Sequence, residues 1–226
     1  MKTSNQDKKA STGRLLSRPG MPVALGSTGL HALKLDGRRD GFVYVSASYQ
    51  PNKPMPLMVM LHGAGGDAEG ALRIVQKVAD SLGVIVVLPE SRSSTWDVIV
   101  SRFGVDIAFI DAALKQVFTR YAIDPNSIAV GGFSDGASYA LSVGITNGDL
   151  FSHVVAFSPG FMASADQVGE PKIFISHGIG DRVLPIDKCS RRLVPVLKEA
   201  DYDVVYQEFD GPHTVPVGVA RDAVEW

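Results

Sequence analysis

The stretch SIAVGGFSDG, residues 127–136, decides the fold of this chain. Its first part, residues 127–133, is a short apolar run of the kind that forms a buried strand, and helical spacing begins at Asp135. Glycines stand on both sides of Ser134, where the chain must turn sharply. The stretch therefore predicts a strand, a tight turn that presents the serine hydroxyl, and a helix.

Strands and helices alternate on both sides of this turn. Two early strands are predicted at 29–35 and 41–49, followed by strands at 57–61, 84–88, 127–133, 153–157, 172–176 and 203–208. A helix with apolar residues three and four apart follows 57–61, and others are predicted at 106–121, 135–143, 186–200 and about 215–224. Such alternation is typical of a buried parallel sheet. The sequence therefore predicts an α/β fold, a three-layer α/β/α sandwich around a mostly parallel eight-stranded sheet.

Length and composition limit the classes of protein that remain. A chain of 226 residues has the length of one α/β domain, which we place at residues 21–226 after a flexible tail at 1–20. A net charge of -2 without a basic cluster argues against nucleic acid as a partner. The tail has no apolar run of signal-peptide length, and no stretch is long enough to span a membrane, so we expect a cytoplasmic protein. Cys189 is the single cysteine, which excludes an intramolecular disulfide.

Ser134 is the predicted nucleophile. It stands at the centre of a G-x-S-x-G pattern between a predicted strand and a predicted helix. The amino end of that helix points at the serine, and its unpaired N–H groups favour a developing negative charge. The competing interpretation is a glycine-rich turn without chemistry.

His213 is the predicted general base, because a serine needs one at neutral pH. It lies in the loop between the last predicted strand and the last predicted helix, and such a loop can reach the nucleophile. The other four histidines are His31, His62, His153 and His177. We expect His177 to brace the loop that contains Asp181.

Asp181 is the predicted acid that orients the imidazole. It follows the penultimate strand in HGIGDRVLP, where glycines allow a turn back across the sheet. The chain order Ser134, Asp181, His213 agrees with that of one class of serine hydrolases. Asp97 and Asp106 stay open as alternatives, with the further possibility that Asp106 only caps its helix.

The glycine-rich turn HGAGGD, residues 62–67, can present backbone N–H groups to an oxyanion. We assign this role to Ala64, with Gly65 as the alternative, together with the N–H of Asp135. The same turn also fits the dinucleotide pattern G-x-G-x-x-A, with Glu90 at the end of the next strand. That interpretation would make the protein a nicotinamide-dependent oxidoreductase. However, two strands precede the pattern, and Ser134 and His213 would have no role.

Together, HGAGGD, GFSDG, HGIGDRVLP and the late GPH resemble the carboxylesterase and phospholipase-like branch of the α/β-hydrolases. They are also similar to bacterial polyhydroxybutyrate depolymerase and feruloyl esterase relatives. The likeness runs from about Gly41 to the end of the chain. It implies the α/β-hydrolase fold, hydrolysis of a carboxylic ester through an acyl-enzyme on Ser134, and neither a metal nor an organic cofactor. In similar proteins the loop 91–97 borders the substrate pocket, which places Trp96 there.

The site is expected to be open and to prefer short acyl chains. The connection 158–171 contains two prolines and two glycines, which leave too little chain for a helical lid. Loop side chains such as Trp96, Phe161 and Met162 would then line the pocket. The alternatives are an acyl thioesterase or lysophospholipase and a catalytically silent binding protein with the same fold.

Overall fold

One eight-stranded sheet forms the centre of the protein. The computed structural model describes residues 9–164 and 166–226. The strands are β1 Gly29–Ala32, β2 Gly41–Val45, β3 Met55–Leu61, β4 Ile85–Pro89, β5 Ile123–Phe133, β6 His153–Phe157, β7 Lys172–Gly178 and β8 Val204–Phe209. Their order across the sheet is β1-β2-β4-β3-β5-β6-β7-β8. The β1–β2 and β2–β4 pairs are antiparallel and the other pairs are parallel, which confirms the predicted sheet.

Helices connect the parallel strands. They are α1 Ala68–Leu82, α2 Asp97–Val100, α3 Val105–Arg120, α4 Asp135–Thr146, α5 Ser190–Glu199 and α6 Val217–Glu225. The short helix α2 was not predicted, and a 3-10 turn at Ile186–Lys188 takes the place of the first turn predicted for α5. No helix in the described parts of the chain is long and apolar enough to cross a membrane.

The helices cover the sheet on both faces. Ala71 and Val75 of α1 and Val219 of α6 pack against one face of the sheet. Ile110 of α3 and Ala140 of α4 pack against the other face, as do buried residues of α5. This arrangement is the predicted three-layer α/β/α sandwich, and it brings the carboxyl ends of β3 to β8 to one edge, where sites form in such sheets.

The expectation of a flexible tail over residues 1–20 is wrong for residues 9–18. Leu15 is fully buried, and its N–H donates to the side chain of Asn147 at 2.8 Å. Arg14 and Arg18 both pair with Asp149, at 2.8 and 2.6 Å. This segment therefore packs against the end of α4, because one apolar side chain and several polar groups find partners there. Residues 1–8 lie outside the described residues.

Candidate active site

Ser134 stands at a strained turn between β5 and α4. Its φ is 58° and its ψ is -121°, in a region that residues other than glycine rarely adopt. A Cβ at Gly132 would lie 2.2 Å from the carbonyl oxygen of Gly136, and one at Gly136 would lie 2.3 Å from the carbonyl oxygen of Leu61. Only glycine fits at these two positions. The G-x-S-x-G pattern thus has a steric cause, namely the close approach of three backbone segments around the serine.

Ser134, His213 and Asp181 form a hydrogen-bonded series. The Nε2 of His213 lies 2.9 Å from the Oγ of Ser134, and its Nδ1 lies 2.5 Å from the Oδ2 of Asp181. Because the carboxylate accepts the hydrogen at Nδ1, the neutral imidazole offers the lone pair of Nε2 to the serine hydroxyl. The imidazole also packs against Phe133, with 4.6 Å between ring centroids. The structure therefore brings together the three residues that we predicted from different ends of strands.

Asp181 is fully enclosed and held as a carboxylate. Its Oδ1 accepts hydrogen bonds from the N–H groups of Val183 and Leu184, both at 2.8 Å. Burial alone would raise the pKa of Asp181, but the bonds from Leu184, His213 and Val183 together keep the pKa below its usual value. The carboxylate is thus ionised and fixed in orientation before any imidazolium forms.

His177 braces this carboxylate, as expected. Its ring is fully buried, and its Nδ1 lies 2.7 Å from the hydroxyl of Ser190. Its Nε2 lies 2.8 Å from the carbonyl oxygen of Leu184 and 3.2 Å from Oδ2 of Asp181. Burial lowers the pKa of His177, so the ring is neutral and donates from Nε2.

The loops that carry Asp181 and His213 lie directly against each other. The N–H of Ile179 donates to the carbonyl of Phe209, and that of Gly180 donates to the carbonyl of Gly211, both at 2.9 Å. A Cβ at Gly178 would lie 2.5 Å from the carbonyl oxygens of Gly211 and Pro212. Backbone contact between the two loops therefore sets the distance from the carboxylate to the imidazole.

The 62–67 turn abuts the nucleophile. A Cβ at Gly63 would lie 3.3 Å from the Cβ of Ser134. Within the described parts of the chain, the N–H of Ala64 has no acceptor, and Asp135 begins a helix whose first N–H groups have none in the helix. The alternative donor Gly65 is wrong, because its N–H already donates to the carbonyl of Ser94 at 2.7 Å.

Hydrogen bonds within the turn and to the loop 91–97 hold the turn in place. The Nδ1 of buried His62 lies 2.7 Å from the carbonyl oxygen of Gly63, and its Nε2 accepts from the N–H of Ser91 at 3.0 Å. Burial lowers the pKa of His62, so it stays a neutral bridge between the turn and the loop. The indole N–H of Trp96 donates to the carbonyl of His62 at 2.9 Å.

Sequence reasoning missed the role of Thr95. Its buried hydroxyl donates to Oδ2 of Asp135 at 2.6 Å. Asp135 follows the nucleophile directly, so the loop 91–97 contacts both the turn before the site and the helix after it. The only sequence signal was a hydroxyl residue in a loop at the correct edge of the sheet.

The predicted substrate contact of Trp96 is wrong. The side chain is fully buried and stacks on Tyr139 of α4, with 5.1 Å between ring centroids and 20° between ring planes. The indole lies beneath the 62–67 turn, because its ring contacts Tyr139 and His62 and its N–H donates to the carbonyl of His62. The sequence located the loop correctly but could not show that this side chain turns inward.

Phe161 and Met162 are half-buried in the loop after β6. The hydroxyl of Ser138 accepts from the N–H of Gly160, and that of Ser142 accepts from Ala163, both at 2.9 Å. These bonds fasten the loop to α4. The described residues of the connection 158–171, all except residue 165, form no helix. The role of Phe161 and Met162 in a substrate pocket stays a prediction.

Asp97 and Asp106 contact each other rather than His213. The N–H of each donates to the carboxylate of the other, at 2.7 and 2.9 Å, and the hydroxyl of Tyr139 donates to Asp97 at 2.8 Å. Burial raises the pKa of Asp106 to about 6. The pair links the start of α2 to the start of α3, so neither residue is placed to orient the imidazole.

The acid of the dinucleotide pattern is also engaged inside the protein. Oε1 of Glu90 accepts from the N–H of Ala68 at 3.3 Å, and its other carboxylate oxygen lies 3.7 Å from Nε of Arg39. Arg39 in turn donates to the carbonyl oxygens of Gly66 and Ser91, at 2.9 and 2.7 Å. Arg39 therefore stabilises the 62–67 turn, and Glu90 pairs with Arg39.

The chain is similar to several known esterases. Residues 88–217 match the family model described as Phospholipase/Carboxylesterase. The protein of Aspergillus flavus named "Probable feruloyl esterase C" is 30% identical over 158 residues, which are 66% of this chain and 57% of that protein. The poly(3-hydroxybutyrate) depolymerase of Ralstonia pickettii is 29% identical over 138 residues, 52% of this chain and 28% of that protein.

A solved ferulic acid esterase from Anaeromyces mucronatus, in complex with ferulic acid, superposes with a TM-score of 0.67 at 19% identity. The match covers 88% of this chain and 91% of that one, and it shows the α/β-hydrolase fold. The chain spans little more than half the length of the feruloyl esterases that it matches. The family model, by contrast, covers more than half of the chain itself, and the chain therefore belongs to the phospholipase/carboxylesterase family.

Proposed function

We propose that the protein is a serine carboxylesterase that hydrolyses small, soluble carboxylic esters through an acyl-enzyme. The observation that carries this proposal is the series of hydrogen bonds from Ser134 through His213 to the enclosed carboxylate of Asp181. A serine on a strained turn, a base in contact with its hydroxyl and an acid behind that base are what nucleophilic acyl transfer requires. The esterases among its relatives support the same class of reaction.

The first half of the reaction forms the acyl-enzyme. Oγ of Ser134 attacks the ester carbonyl carbon as its proton passes to Nε2 of His213. The ionised carboxylate of Asp181 stabilises the imidazolium that results. The N–H groups of Ala64 and Asp135 are the proposed donors to the oxyanion, because neither is engaged and both adjoin the nucleophile.

The acyl-enzyme is complete when the ester C–O bond breaks and His213 returns its proton to the departing alcohol oxygen, which leaves the acyl group on Ser134. The second half releases the acid. A water molecule then loses a proton to the same imidazole and attacks the acyl carbon. Collapse of this second intermediate regenerates the serine hydroxyl and frees the carboxylic acid.

We also propose that the acyl side of the site takes short chains. The loop fastened to α4 carries Phe161 and Met162 as half-buried side chains, and no helix covers it in the described residues. Such a wall can bury a few methylenes, each contributing about 0.8 kcal/mol, before a longer chain reaches water. Rates for soluble esters should therefore peak at acyl lengths of about two to six carbons.

Labelling by a fluorophosphonate probe tests the class of the protein. The wild-type chain should gain the mass of one adduct, located at Ser134 by peptide mapping, and Ser134→Ala should gain none. Absence of labelling in the folded wild-type chain would point to a silent binding protein. For the acyl preference, a series of aryl esters decides: an optimum at ten carbons or beyond would favour a lysophospholipase.

A further inference from the structure

The reaction described above gives no role to a cavity beside the 62–67 turn. It has a volume of about 370 Å³ and lies between that turn and the first two turns of α1. Ala64, Ala71, Ile74 and Phe133 form apolar parts of its wall. This volume falls at the lower end of the range of small-molecule sites, about 300–1,000 Å³, so the cavity has room for a group the size of one ring.

The cavity adjoins the reacting groups through two residues of its wall. Gly63 and Ala64 line it, and a Cβ at Gly63 would lie 3.3 Å from the Cβ of Ser134. Its other wall, Phe133, has its ring centroid 4.6 Å from that of His213. A group bound in the cavity would thus touch Gly63 and Phe133, which lie against the nucleophile and the base.

The contact with Phe133 indicates which half of the ester enters. The departing oxygen must lie near Nε2 of His213 to receive its proton, so the alcohol half extends from the imidazole. Phe133 packs with α1 on one face of the sheet, whereas Met162 packs against the core on the other face. The two halves of the ester would therefore occupy opposite faces.

We infer that this cavity binds the alcohol half of the substrate and that it selects uncharged alcohols that carry an aromatic ring. The inference rests on the proposed esterase function. Phe133 offers an aromatic partner, and Ile74 and Ala71 offer aliphatic contacts. Asp67 and Arg73 also line the cavity, and because their charges are opposite, neither an anionic nor a cationic alcohol gains a clear advantage.

The test compares benzyl acetate with ethyl acetate. Both carry the same acyl group and both release a primary alcohol, so the ratio of their kcat/KM values reports binding of the alcohol half. Ile74→Trp should fill the cavity and lower this ratio about tenfold relative to wild type. Val196→Trp introduces the same side chain at an exposed position on α5 and should leave the ratio unchanged.

The acyl half serves as the internal comparison. The ratio of kcat/KM for ethyl butanoate to that for ethyl acetate should change less than twofold in Ile74→Trp. If the butanoate-to-acetate ratio falls and the benzyl-to-ethyl ratio does not, the cavity binds the acyl half. If neither ratio changes, the cavity binds neither half of the ester. Either result overturns the inference while leaving the esterase function intact.

A binding measurement separates the inference from the proposed function. Benzyl alcohol, titrated into the wild-type chain, should shift the amide resonances of Ala71 and Ile74, and ethanol at the same concentration should not. Ile74→Trp should lose the response. If the chain neither hydrolyses esters nor is labelled by the fluorophosphonate, the esterase function alone is contradicted. If benzyl alcohol shifts no amide resonance, the aromatic site is contradicted.

Discussion

The two sides of Ser134 are held in place by different means. On the side of Asp181 and His213, backbone contacts set the geometry, because Gly178 brings one loop against the carbonyl groups of the other. On the side of the 62–67 turn and Asp135, hydrogen bonds that involve side chains contribute as well, among them Thr95 to Asp135 and the indole of Trp96 to the carbonyl of His62. The first side is therefore sensitive to a change of backbone shape, whereas the second includes individual hydrogen bonds that can be removed one at a time.

The largest effect is expected from the acid of the first side. Asp181→Asn retains the shape of the side chain but cannot stabilise an imidazolium, and it can favour the wrong tautomer of His213. We expect kcat to fall by about 10⁴-fold. Asp97→Asn is the matched control and should be much milder, because Asp97 contacts Tyr139 and Asp106. The reverse ranking in steady-state assays would move the orienting acid to Asp97.

A glycine tests whether backbone contact really governs that side. Gly178→Ala places a Cβ 2.5 Å from two carbonyl oxygens, so the loop of His213 must move. Displacement by about 1 Å should cost on the order of 10² in kcat. Gly218→Ala is the control, because nothing lies within 4 Å of its added Cβ. Equal activity of the two variants, with both folded by circular dichroism, would contradict the backbone account.

The same difference explains what the sequence could predict. On the first side, the nucleophile lies with glycines and loop residues in local patterns at the ends of strands. Such patterns follow from backbone sterics. The hydrogen bond of Thr95, the inward turn of Trp96 and the bond from the N–H of Gly65 to the carbonyl of Ser94 depend on segments that meet only after the sheet is assembled. No spacing along the chain indicates such contacts.

The N-terminal segment was missed for a related reason. Its short run of apolar residues looked insufficient for a structural element, yet burial of Leu15 and pairing of Arg14 with Asp149 fix it to the end of α4. The fold itself was predictable, because alternating strands and helices repeat along most of the chain. Contacts between segments far apart in the sequence, by contrast, were not predictable.

The pH dependence should reveal only one of the three histidines near the site. Burial lowers the pKa values of His62 and His177, so both stay neutral while a catalytic imidazole takes up its proton. Log kcat/KM should therefore rise with pH at a limiting slope of one, because the reaction needs one unprotonated base. A slope of two above pH 6 would show that a bracing histidine titrates there as well.

Stability should decrease at low pH through the same two bracing histidines, with the lowered pKa of His153 adding to the change and the raised pKa of Asp106 opposing it. A histidine with a lowered pKa binds fewer protons in the folded than in the unfolded state. Its contribution to the free energy of unfolding is thus complete at high pH and decreases as the pH falls below about 6.5, the value of the unfolded side chain. Urea denaturation at pH 8 and pH 5 measures this change. If the His62→Gln variant unfolds at the same urea concentration at both pH values, His62 is the main source of the change in stability.

The smallest effect is expected from Thr95, on the side held by side chains. Thr95→Val keeps the shape but removes the hydrogen bond to Asp135, whose carboxylate is then free to turn. A hydrogen bond of this kind contributes about 1 kcal/mol, which corresponds to about a fivefold loss. Because Asp135 supplies the proposed oxyanion donor, the loss should fall on kcat with KM unchanged, and Thr95→Ser should restore it. An equal loss in both variants, or a loss confined to KM or to thermal stability, would show that Thr95 supports the fold and has no part in positioning the donor.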